Sequence, residues 1–160
     1  MTRVLLIADI KGGVFLTMPK VLEALPAEAS GLHWHILDIG AVLADDASGL
    51  NVLEMEERVL ASPTGLPLSF VELTKFARST RQVIDGVFVA IDSTTRPPAR
   101  TDDDAAIVEQ SVAVVAAFDS TFWLVAAPDA WLEHAARTFT DVRWENVGDT
   151  PLRASDAPDD

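Results

Sequence analysis

The chain contains no cysteine. That excludes disulfides, thiolate metal ligands and thiol nucleophiles. It has no apolar run of the ~18–20 residues needed to cross a membrane as a helix. Its first ten residues lack the longer apolar stretch and small-residue cleavage site of a secretory signal. Basic residues are scarce, 12 Lys and Arg against 25 Asp and Glu, so a nucleic acid or an anionic membrane would meet repulsion. No G-x-S-x-G, G-x-G-x-x-G or G-x-x-x-x-G-K-[ST] pattern occurs. No Ser, His and acid can be assigned as a triad. These absences predict a cytoplasmic protein with no cofactor and no nucleic-acid or membrane partner, and they lean away from catalysis.

What is present is apolar and acidic. Hydrophobic residues make up 49% of the 160, enough for one domain with a proper core. The net charge is −13. The segment 149–160 carries four acids and one Arg, which leaves −10 on the body. The acidity therefore belongs to the folded part, where it suits solubility or attraction of a basic partner.

The hydrophobic pattern divides the chain into short elements. Val4-Leu5-Leu6-Ile7-Ala8 reads as a buried strand, broken at Lys11-Gly12-Gly13 and followed by Val14-Phe15-Leu16 as the return of a hairpin. Thr17 caps a short helix with Pro19 in its first turn. Residues 32–39 alternate as a strand, with Trp34, Ile36 and Asp38 on one face and His33, His35 and Leu37 on the other. Residues 52–60 read as its antiparallel partner, with Leu53, Met55 and Val59 inward; a helix stays open there because Glu and Met suit helices. Ser69 and Glu72 form a capping box before a helix, and residues 82–91 form a strand bent at Asp85-Gly86. Asp102 or Asp103 caps a short helix over 105–109. Two apolar runs over 112–127 flank Asp119-Ser120-Thr121 as a hairpin. A helix opening at Asp129 and a strand carrying Trp144 complete the body. The predicted fold is α+β, a mostly antiparallel (mixed) sheet with about three helices packed on it. It occupies 1–148 as one domain, with a disordered acidic tail over 149–160.

Three groups of residues invite a functional reading. Asp45, Asp46, Glu54, Glu56 and Glu57 form an acidic stretch, a docking surface for a basic partner or, if one carboxyl is buried, an acid–base pair. His33 and His35 share one strand face and would supply two ligands to a zinc ion. A third would come from Asp38, His134 or one of the acids over 54–57. Gly12-Gly13 after a strand could approach a phosphate, although a hairpin turn explains them more simply. Of the tryptophans Trp34, Trp123, Trp131 and Trp144, an exposed one would mark an interface.

In layout, His33-Trp34-His35-Ile36-Leu37, Ser69-Phe70-Val71-Glu72-Leu73, Val83-Ile84-Asp85-Gly86-Val87-Phe88 and Ala117-Phe118-Asp119-Ser120-Thr121-Phe122-Trp123 resemble small bacterial immunity-type proteins. The resemblance implies an acidic α/β protein that binds and blocks a toxin, and it assigns no residue roles. The leading expectation is thus a protein-binding module, an immunity-like inhibitor of a basic partner. The alternatives are a small-ligand or metal-dependent enzyme built on His33 and His35, and a homo-oligomer whose apolar hairpin over 112–127 packs on its copy.

Overall fold

A computed structural model describes residues 3–8, 10–11, 14–119 and 121–153. Asp9, Gly12, Gly13, Ser120 and residues 154–160 lie outside the described residues, and with them the expected glycine turn and the end of the tail. The strands are β1 (Arg3–Ala8), β2 (Ile10–Lys11), β3 (Val14–Phe15), β4 (His33–Ala44), β5 (Leu66–Leu68), β6 (Thr80–Ile91), β7 (Ala113–Phe118), β8 (Phe122–Ala126) and β9 (Val142–Asn146). The helices are α1 (Met18–Glu23), α2 (Val52–Leu60), α3 (Phe70–Ser79), α4 (Asp104–Gln110) and α5 (Asp129–Thr138), with a 3₁₀ turn at Ala27–Gly31.

Seven strands form one sheet in the order β5-β4-β6-β7-β8-β1-β9, and every neighbouring pair is antiparallel. The α+β class with an antiparallel sheet is as expected, with five helices rather than about three. β2 and β3 pair separately as a small hairpin.

Both faces of the sheet are covered. On one, Leu5, Ile7, Trp34, Ile36, Phe88, Val115, Trp123 and Val125 meet Val21 and Leu22 of α1, Val59 of α2, Leu73 and Phe76 of α3, and Leu132 of α5. On the other, Val4, Leu6, Leu37, Val87, Val89, Val114 and Leu124 meet Ile107 and Val108 of α4. Covering on both sides explains why the central strands read as continuous apolar runs instead of alternating. β7 and β8 run through the middle of this sheet, and residues 113–117 and 123–126 are buried within the chain. Residues 113–117 and 123–126 of the hairpin are therefore packed within their own chain and are not open to a second copy.

Local chemistry sets the helix ends. Ser69 Oγ accepts from the Glu72 amide at 3.1 Å while Glu72 Oε1 accepts from the Ser69 amide at 3.1 Å, the reciprocal box read from sequence. Asp103 Oδ1 accepts from the Ala106 amide at 2.8 Å and starts α4. The buried indoles are satisfied: Trp34 Nε1 donates to the Ala29 carbonyl and Trp123 Nε1 to the Leu16 carbonyl.

Two expectations change. Residues 52–60 are helix, not strand: Asn51 Oδ1 accepts from the Glu54 amide at 3.0 Å, which secures the first turn. The partners of β4 are instead β5 and β6. The described start of the acidic tail is also anchored, with Leu152 only 3% exposed against the α4 face and its amide donating to Asp104 Oδ2 at 2.9 Å.

Candidate functional site

The acidic stretch splits between the turn after β4 and helix α2. Asp45 and Asp46 are exposed in the turn, which is tied down by the Asp45 amide donating to the Ser79 carbonyl and by Asp45 Oδ1 accepting from the Ala47 amide. In α2, helical spacing turns Val59 and Met55 toward the core. Leu53 and Leu60, seven residues apart, share the opposite face and are each 65% exposed. Glu54 and Glu57 lie exposed on that same side, and Glu56 is half-buried at its margin. The structure thus adds two exposed leucines: Leu53, which the strand reading points inward with Met55, and Leu60, which that reading leaves unassigned. Among the described residues, no Lys, Arg or His comes within salt-bridge distance of any of the five acids. With Glu54 and Glu57 open to water, this side of the helix lacks the desolvated carboxyl that acid–base catalysis requires.

The histidines sit at the other end of β4. His33 is exposed and His35 is buried. His35 Nδ1 lies 3.0 Å from the Thr64 carbonyl oxygen. A carbonyl only accepts, so Nδ1 carries the proton and Nε2 keeps its lone pair. Burial lowers the His35 pKa below its ordinary 6.5; the Thr64 carbonyl opposes this, and the neighbouring His33 adds to the lowering. A cleft of about 450 Å³ opens here, lined by both histidines with Ser69, Glu72 and Asp92. The two carboxylates are already engaged. Glu72 serves the α3 cap, while the Thr95 hydroxyl, then the Thr94 hydroxyl and amide, hold Asp92 at about 2.

Among the described residues, no third metal ligand joins the pair. β4 is not regular: a register shift between Ile36 and Asp38 turns Asp38 to the α4 face of the sheet, the side that His35 and Leu37 also take, so what keeps it from the histidines is its engagement further along the strand. There its carboxylate faces Arg153 Nε at 3.7 Å and Arg100 Nη2 at 4.0 Å. His134 is exposed on α5, and the acids over 54–57 are on α2. Among the described residues no group of three or more His, Asp or Glu is arranged to hold a metal ion.

The lowered His35 pKa has a consequence for stability. The folded state binds the proton less readily than the unfolded chain, so the contribution is fully present above pH 6.5. It is lost as pH falls through the folded-state value. His35→Gln is expected to flatten this acid-side slope, measured as the urea midpoint between about pH 7 and pH 5. An unchanged slope would assign the acid sensitivity elsewhere.

A larger groove, about 620 Å³, lies between α1 and the end of α5. Ile7, Leu16, Ala24 and Phe139 line it, together with Lys20 and Asp141. Sequence reasoning missed it because its walls come from segments more than a hundred residues apart and share no motif. No protein-family model, curated protein or solved structure matches the chain.

Proposed function

We propose that the chain is a protein-binding module that captures a basic partner through the exposed face of α2, and that it acts as an immunity-like inhibitor of that partner. One observation carries the reading: Leu53 and Leu60, both 65% exposed and one heptad apart, are flanked by the carboxylates of Glu54 and Glu57, which have no ion-pair partner among the described residues. Apolar anchors within a rim of one charge are what a helix face needs to bind an oppositely charged surface. The leucines supply burial on association, and the acids steer the encounter. Asp45, Asp46 and Glu56 extend the negative field, and the net charge of −13 gives it range at low salt.

The test is affinity capture from the source cell with three baits: wild type, Leu53→Ser/Leu60→Ser, and Glu54→Lys/Glu56→Lys/Glu57→Lys. The expected result is a basic protein retained by wild type and bound at least about tenfold more weakly by each variant. If all three baits retain it equally, α2 is not the surface. If the captured protein, expressed alone, neither harms cells nor loses an activity on adding the chain, the inhibitor role fails while the binding role stands.

A second reading rests on His35, a buried imidazole that lines a cleft and whose Nδ1 is held by the Thr64 carbonyl; burial disfavours its charged form, and in the neutral form Nε2 is the acceptor. It makes the cleft a small-ligand site with His35 as base. Metal analysis of the purified protein separates its metal-dependent version from a metal-free one.

A further inference from the structure

We propose that β9 is a homodimerisation edge, pairing antiparallel with the β9 of a second copy across a two-fold axis at Trp144. β9 ends the sheet order, and among the described residues nothing pairs with its outer side. The direction of its backbone groups follows from one contact. The Ala8 amide donates to the Asp141 carbonyl at 3.1 Å, in register with the β1–β9 ladder. In an antiparallel ladder the inward-bonding residues alternate. Arg143 and Glu145 therefore bond inward to β1, while Val142, Trp144 and Asn146 aim their amides outward.

The outward set is self-complementary. About a two-fold at Trp144, the two Trp144 residues exchange a pair of backbone bonds. The Asn146 amide of each copy meets the Val142 carbonyl of the other, the Asn146 carbonyl being engaged already by the Asp149 amide. Arg143 then stands opposite the second copy's Glu145 in a non-hydrogen-bonded pair, the closer of the two cross-strand spacings. Within one chain Arg143 Nε and Glu145 Oε1 are already 2.9 Å apart, so the dimer would alternate four charges on one face. Registers centred on Arg143 or on Glu145 would set like charges opposite each other.

The other face of the strand adds an apolar anchor. Trp144 is 36% exposed, unlike the buried Trp34 and Trp123, and the Arg3 guanidinium lies 4.4 Å from its ring centroid. Edge strands avoid pairing by carrying charge of one sign, a proline or a bulge. β9 carries one charge of each sign in the order that suits its own copy, and no proline.

Sedimentation velocity on the full chain from low to high micromolar concentration tests this. Wild type is expected to dimerise with concentration. Arg143→Glu sets Glu against Glu145 and is expected to weaken the dimer at least about tenfold, and Arg143→Glu/Glu145→Arg to restore it. Asn146→Pro removes an outward donor and should weaken the dimer without changing the circular dichroism spectrum. Arg143 is 69% exposed, so its reversal leaves the fold intact. A monomer at every concentration overturns the proposal. So does a dimer indifferent to Arg143→Glu and Asn146→Pro, or one that the double reversal fails to restore.

Discussion

Gly65→Ala is expected to be the most damaging glycine-to-alanine change among the described residues, costing about 4 kcal/mol or more. Gly65 has φ +75°, and a Cβ there would press into the Ile36 carbonyl oxygen, 2.9 Å from its carbon and 3.0 Å from Leu37 Cα. Those atoms belong to β4, bonded to β5 on one side and β6 on the other around the buried Trp34 and Ile36, so they cannot yield. Gly49→Ala is the control. Its φ is +71° with nothing within 4 Å of the added Cβ, so it bears only the left-handed strain, about 1 kcal/mol. Urea unfolding of both variants separates the two terms; equal losses would show that close approach adds nothing at Gly65. The same turn presents the Thr64 carbonyl to His35, so the variant should also disturb the His35 titration.

What could be read in advance depended on how local the cause was. The Ser69–Glu72 box and the Asp103 cap are satisfied within three residues, and both were legible. The Asp119 turn was also legible: its φ of 46° suits the Asp placed between two apolar runs. Helix α2 was misread because Leu53 and Met55 alternate as strand residues do; the decisive signal was Asn51 ahead of Glu54, a cap. An exposed leucine is also what patterning arguments assume away, so the feature that carries the functional reading is the one that misled the structural one. The bulge at Asp38 was out of reach, because it is set by pairing with β6 some fifty residues later. The burial of Leu152 depends on Asp104, 48 residues earlier, and on α4 covering a second face that a one-faced sheet would not have.

Those two non-local features meet at Asp38, where the second large effect is expected. Arg100 Nε donates to the Leu37 carbonyl at 2.8 Å, and its guanidinium and that of Arg153 converge on the Asp38 carboxylate. Arg153 Nε and Nη2 are buried and find no hydrogen-bond acceptor among the described residues. The pair is therefore asymmetric. Asp38→Ala removes the counter-charge and strands Arg153, and should cost about 2–3 kcal/mol, the low end for a buried pair because Asp38 is one-third exposed. Arg153→Met keeps much of the side-chain volume, removes a buried guanidinium short of hydrogen-bond acceptors and leaves Asp38 with Arg100, so it should fall within about 1 kcal/mol of wild type. The double variant should recover most of what Asp38→Ala loses, a coupling that the cycle of urea midpoints measures directly. Equal losses for Asp38→Ala and Arg153→Met would mean that the ion pair itself stabilises the fold. The asymmetric outcome would mean that Leu152 and Asp104, rather than the ion pair, hold the C-terminal segment against α4.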